Sequence, residues 1–248
     1  MEIFNKYGTK ITSLESWRDA FLEVDSKTHW KEGRSAYLLA KLFNPQNTMG
    51  EEILRQSMRG IPDFDGDIKF DIGIIEFESK FDTFRGKGRI HDLAIWGSCN
   101  GINFFVGIEG KVDETFGDTI KDAKSKSKAE EYLNSKPTSK RKDRIENLEK
   151  QFLDDNLSKN DKNEIRYQLL HYLAGTLAQA QKSGVLIAIM PVLVFKTEDY
   201  NPDAAKDNKT DYNAFMNALF GKPKDGSGLY SKQYGDITIY SFYKEIKF

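Results

Sequence analysis

The chain has 248 residues, enough for one large domain and a sizeable core. Its 37 lysines and arginines balance 38 acids, which excludes a uniformly basic nucleic-acid binder, so any such contact has to come from a local patch. A single cysteine, Cys99, excludes an internal disulfide and makes a reducing compartment the expectation.

Residues 1–10 are polar, with no apolar centre of the leader type. Residues 13–24 predict a helix that Ser13 can cap, with Trp17, Ala20, Phe21 and Val24 as its apolar stripe. A second helix is predicted over 30–43, stopping before Asn44 and Pro45, with Ala36, Leu39 and Phe43 facing inward. Glu32, four residues before Ala36, falls on that inward stripe, where an acid is unexpected. It reads either as a functional carboxylate or as an acid favoured by the helix dipole in a first turn. Residues 44–60 read as a loop and a short helix through Ile53, Leu54 and Met58. The run Asp63-Phe64-Asp65-Gly66-Asp67 begins like a calcium loop, but Ile68 and Ile74 stand where Gly and a bidentate acid are required, so an acidic turn is expected.

Alternation over 68–81 predicts a strand with Glu76 and Glu78 on one face, either solvated or adding to a metal site. Arg85-Gly86-Lys87-Gly88-Arg89 reads as a hairpin turn, whose glycines can also admit a phosphate. Two neighbouring strands follow, joined by a turn-rich link over 97–101. On the first, Asp92 shares a face with Ile90, Ala94 and Trp96. The second opens on Phe104, Phe105, Val106 and Ile108 and then carries Glu109 and Lys111, which a period of two points to one face. Such charges are costly to bury unless they serve a metal, a partner or a substrate. Oxygen donors of this kind suit Mg²⁺. Glu114, just past the strand, can reach the same place or open the next helix.

Residues 118–163 are polar and rich in lysine. From Lys121 to Lys142 there are eight basic residues against three acids, a balance that favours a nucleic-acid backbone but is also common on solvated helices. The segment reads as an insertion of two surface helices around a loop at 135–139, able to serve as a lid or as a homo-oligomer contact. A helix over 163–182 follows, with Leu169, Tyr172, Leu173 and Leu177 on its apolar face and Ser183-Gly184 at its end. Gln168 and Tyr172 are neighbours on it, while Arg166 and His171 are expected at the surface. Residues 185–195 form a continuous apolar run of strand length, which contains Pro191 and is too short to span a bilayer, so a soluble cytoplasmic protein with no membrane partner is expected. The tail reads as a polar loop over 200–209, a helix over 211–220 and an edge strand over 235–248.

Asp92 followed by Glu109-Gly110-Lys111 resembles the signature of the PD-(D/E)xK nuclease superfamily, with His91 in the place of its Pro. The order helix, three strands, helix, strand over about 30–195 is similar to that family's αβββαβ core, and the runs 30–36 and 109–117 resemble a group of bacterial nuclease-like proteins within it. The resemblance implies an α/β fold: a restriction-endonuclease-like core with a mixed sheet flanked by helices, in a single domain over 1–248, with the helical insertion 118–163 and a C-terminal extension 196–248. It implies Asp92, Glu109 and the Gly110 carbonyl as ligands of Mg²⁺, with Mn²⁺ as substitute. Glu32 would hold water or a second metal, and Lys111 would orient the attacking water or stabilise charge on phosphate. Gln168, within Gln-x-x-x-Tyr, would orient the site. The implied activity is hydrolysis of phosphodiester bonds, in DNA rather than RNA. The alternative is a non-catalytic protein-interaction or nucleic-acid-binding module on the same fold, which the net charge of −1 and the missing Pro leave open. There is no Walker loop, His-Glu-x-x-His, Cys/His cluster or Gly-x-Ser-x-Gly elbow. His91 is expected to point away from Asp92 and is not assigned as a base.

Overall fold

The computed structural model describes residues 1–23, 29–62, 64–133, 140–223 and 228–248, with Glu131, Leu133 and residues 204–207 described by backbone alone. Val24, Asp63, Lys136 and the loop at 135–139 therefore lie outside the described residues. In chain order the elements are β1 (Glu2–Phe4), β2 (Lys10–Ile11), α1 (Leu14–Leu22), α2 (Ser35–Phe43), α3 (Met49–Met58), β3 (Ile68–Ser79), β4 (Arg89–Cys99) and β5 (Ile102–Lys111). After these come α4 (Ile120–Leu133), α5 (Arg141–Phe152), α6 (Lys159–Glu164), α7 (Tyr167–Ser183), β6 (Ile187–Ile189), β7 (Val192–Lys196), α8 (Pro202–Leu219), β8 (Tyr230–Tyr234), β9 (Ile237–Ser241) and β10 (Tyr243–Lys247).

The strands form one mixed sheet in the order β2-β1-β3-β4-β5-β6-β9-β8, with β7 beside the end of β5 and β10 beside β7. Strands β3, β4 and β5 make an antiparallel meander, and β6 and β7 run parallel to β5. Apolar residues of α1, α2 and α3 pack on one face of the sheet, among them Trp17, Leu39, Leu42 and Leu54 against Leu93, Ile95 and Val106. On the other face α5, α7 and α8 bring Ile145, Leu169, Leu173 and Phe215 against Phe105 and Ala188. The architecture is α/β, a mixed sheet flanked by helices. Among the described residues no helix is long and apolar enough to cross a membrane.

Local chemistry sets most boundaries. Ser13 caps α1 in a reciprocal capping box with Ser16. The predicted helix over 30–43 begins only at Ser35, because Gly33 sits at φ 78 and Arg34 is extended. The β4–β5 link is tighter than the predicted 97–101: Cys99 pairs with Ile102 across a two-residue turn, with Asn100 at φ 50 and Gly101 at φ 79. Two positive φ values are what the right-handed strand twist favours in such a hairpin.

Four other expectations are revised. The helix over 163–182 is two helices, since the chain leaves helical geometry at Ile165 and Arg166, where the Ile165 carbonyl accepts the Ile120 N–H and the Tyr167 N–H donates to the Asp118 carbonyl. The apolar run 185–195 is two strands, because Pro191 has no N–H for a ladder. Finally, α8 absorbs much of the predicted loop at 200–209, starting at Pro202, a residue suited to a first helical position. The predicted edge strand at 235–248 is two strands: β9 lies between β6 and β8, parallel to β6, and β10 forms an edge parallel to β7.

Candidate active site

The last three residues of β5 are Glu109, Gly110 and Lys111, and β7 supports them directly: Val192 pairs with Glu109 and Val194 with Lys111. Asp92, on β4, accepts the Gly110 N–H through Oδ2 at 2.7 Å. Gln168, in the first turn of α7, grips both charged residues. Its Nε2 donates to Glu109 Oε1 at 2.7 Å, and its Oε1 accepts from Lys111 Nζ at 3.3 Å. Lys111 Nζ also lies 3.0 Å from Glu109 Oε1. Glu109 is 3% exposed and Lys111 6%, so this ion pair is nearly sealed from water. Side chains so buried hold their charge only through partners, and here the partners are complete.

Sequence reasoning missed the third member of the pair. Arg89 does not belong to a hairpin turn; it opens β4, is buried, and its guanidinium donates to Glu109 Oε2. It lies 4.9 Å from the centre of the Tyr172 ring, one turn beyond Gln168 on α7. The Tyr172 hydroxyl reaches the carbonyls of Gly107 and, at 2.9 Å, Pro191, tying α7 to β5 and to the break between β6 and β7. The signal for Arg89 lay in strand alternation. Counting back from His91 puts Arg89 on the same face, opposite to Asp92. The flanking Gly86 and Gly88 concealed it by reading as turn residues.

Gly175 gives Arg89 room. A Cβ there would stand 2.7 Å from Arg89 Cγ and closer still to its Cβ. Gly175→Ala is therefore expected to destabilise the protein by about 1–3 kcal/mol, the usual cost of overpacking, as read from its urea midpoint.

Asp92, Glu109, Gly110, Lys111 and Gln168 line one cleft of ≈ 670 Å³. Glu76 and Glu114 line it too, with Arg34, Ser35 and Ala36 from the start of α2. Glu32 does not. The turn at Gly33 leaves it outside α2 and exposed, with the Tyr37 hydroxyl 3.5 Å away. The structure therefore does not bring Glu32 to the other predicted site residues, whereas Glu76 lines the cleft. Glu76 adopts φ 48, a left-handed conformation costing a non-glycine residue about 1–2 kcal/mol. Glu78, two residues on, is exposed and accepts the Gly88 N–H. The expected pairing of these two acids on one face therefore fails at the strained residue.

Burial raises the Asp92 carboxyl above its usual range, against the pull of Arg89 and the Gly110 N–H. Burial likewise lowers the Lys111 ammonium, against Asp92 and Glu114. Both groups thus lean towards their neutral forms, and a cation arriving beside Asp92 would favour its ionised form. His91 is buried behind the site, its Nε2 3.0 Å from Ser79 Oγ. Burial, with Arg89 and His171, pushes it well below its ordinary range, so it is neutral and serves packing against Phe105 and Tyr172.

A family model described as "Domain of unknown function (DUF6946)" matches residues 10–247. The chain belongs to that family. Neither curated proteins nor solved structures gave a match. The match takes in the strands from β2 to β10, so the lysine-rich helices and the C-terminal strands fall within the DUF6946 unit.

The donors in this DUF6946 cleft are carboxylates and a backbone carbonyl, a set that fits a hard divalent cation in kind. Among the described residues no three such side chains stand ready as an ion cage. Both Glu109 oxygens are engaged by Arg89, Lys111 and Gln168.

Proposed function

We propose that the cleft is the active site of a metal-dependent phosphodiesterase acting on nucleic acid, with DNA as the substrate, on a restriction-endonuclease-like core. The observation that carries this reading is the double hold of Gln168 on Glu109 and Lys111, in a cleft that Asp92 also lines. The succession α2, β3–β4–β5, α7, β7 supports the fold half of the reading.

In hydrolysis a water oxygen attacks phosphorus, one P–O ester bond breaks, and the departing oxygen takes up a proton. Asp92, Glu109 and the Gly110 carbonyl would hold Mg²⁺, or Mn²⁺ in its place, with Glu76 at the same cleft. The metal's contribution when bound would be to polarise the phosphoryl oxygen and acidify water. Lys111 supplies positive charge where negative charge grows on phosphate, in a site dry enough for that charge to count. Gln168 fixes the Lys111 ammonium and the Glu109 carboxylate relative to each other. Arg89 neutralises Glu109 from behind.

One observation favours a non-catalytic module: the cations that stabilise Glu109 also occupy its oxygens. The test is to incubate the purified protein with linear, circular and single-stranded DNA and with RNA, in Mg²⁺, Mn²⁺ or EDTA. Cleavage that requires the metal and disappears in Glu109→Gln is the expected result. Intact substrates in every condition would favour the module.

A further inference from the structure

A second concavity of ≈ 550 Å³ adjoins the first along α7. One wall is the loop between β3 and β4, carrying Arg85 and Lys87. Another is the start of α5, with Lys140, Arg141 and Arg144. The floor is aromatic, built by Tyr167 and His171 of α7. Consecutive residues of α7 thus serve the two concavities: Gln168 holds Glu109 and Lys111, while Tyr167 lines the basic one.

The charge here is unevenly answered. Arg144 pairs with Asp82 at 2.6 Å, Arg141 with Asp118 at 3.1 Å, and Lys140 with Asp143 at 2.9 Å. Arg85 and Lys87 are exposed and have no acidic partner among the described residues. The amino end of α5 adds positive potential, and Lys140 at its cap spends its ammonium on Asp143 of the same helix rather than on the helix backbone. The aromatic floor is ordered: the Tyr167 and His171 rings lie 5.5 Å apart, and His171 stands edge-on to Phe81 at 4.7 Å. Burial takes His171 down to about 3, so its ring is uncharged at neutral pH. The expectation of His171 as a plain surface group is thereby corrected.

We propose that this pocket holds one nucleotide of a single-stranded nucleic acid, its phosphate on Arg85 and Lys87 and its base against Tyr167 and His171. The same strand then runs past the first turn of α7 into the Asp92–Glu109–Lys111 cleft; this continuation rests on the phosphodiester reading. Mobile exposed cations neutralise backbone phosphate, and an aromatic floor inside a concavity suits an unpaired base. A duplex keeps its bases paired and stacked, and so presents a surface to which a floor of this kind has nothing to offer.

The test is fluorescence anisotropy of a labelled single-stranded oligonucleotide and its duplex, in EDTA so that no cleavage intervenes. Wild type is expected to bind the single strand more tightly. The double variant Arg85→Ala/Lys87→Ala, on an exposed loop, should keep its circular dichroism and Tm. Its binding should weaken about tenfold or more, with the log–log salt slope reduced by roughly 0.7 for every phosphate that is no longer neutralised. Tyr167→Leu should weaken binding about tenfold with the slope unchanged. Equal affinity and slope in wild type and the double variant would overturn the proposal, as would a preference for duplex or the absence of binding by wild type at low salt. Cleavage by the double variant at the wild-type kcat/KM would refute the pocket alone. Binding that depends on Arg85 and Lys87, without cleavage in Mg²⁺ or Mn²⁺, would refute the hydrolytic reading alone.

Discussion

Arg89→Ala is expected to reduce stability by about 3 kcal/mol, seen as a fall of about 6–12 °C in Tm. The change leaves the Glu109 carboxylate buried with one of its two oxygens unanswered, since only Lys111 and Gln168 remain, both on Oε1. Removing one partner of a buried pair costs about 3–5 kcal/mol because the other charge is stranded, and the surviving partners place this substitution at the lower end. Arg89→Met combined with Glu109→Gln and Lys111→Met should recover most of the stability, since no charge of the buried cluster is then stranded. A single variant destabilised by less than about 1 kcal/mol would mean that Arg89 does not neutralise Glu109.

On the proposed hydrolytic function, Lys111→Ala is expected to lower the cleavage rate by about a hundredfold or more, the usual effect of removing one group that stabilises transition-state charge. Lys111→Met, which keeps most of the side-chain volume, should show the same fall in rate and so separate charge from packing. The pH dependence has a definite sign. Burial lowers the Lys111 ammonium below the ordinary lysine range, and the proposed hydrolysis uses its charged form. Activity should therefore fall as pH rises through that lowered value, earlier than an exposed lysine would dictate. Lys111→Arg, which does not titrate there, should keep whatever activity it has across that range. A Lys111→Ala protein with the wild-type rate would remove this residue from the chemistry.

The parts of the site legible in the sequence were those governed by short periods. Alternation on β5 put Glu109 and Lys111 on one side, where both meet Gln168. A spacing of four on α7 made Gln168 and Tyr172 neighbours, although their division of labour, one on side chains and one on backbone carbonyls, came only with the structure. The misses have specific causes. Glu32 was carried inward by extending a helical period across Gly33, whose positive φ stops the helix short. Glu76 entered the cleft through a left-handed backbone that no alternation rule anticipates. Pro191 should have divided the run 185–195, and the division matters because its carbonyl receives both the Glu109 N–H and the Tyr172 hydroxyl. The places of β9 and β10 depend on parallel pairings across some fifty residues of chain, which leave no local mark.

The proposed hydrolysis requires Asp92 and Glu109 to form a divalent-metal site together, despite the cations now held by Glu109. A calorimetric titration of the purified protein with Mn²⁺, beside Asp92→Asn and Glu109→Gln, tests it without any assumption about substrate. Saturable binding by the wild type that is abolished in both variants is the predicted result. No binding by the wild type, or binding that survives in both variants, would contradict the metal site and with it the hydrolytic function.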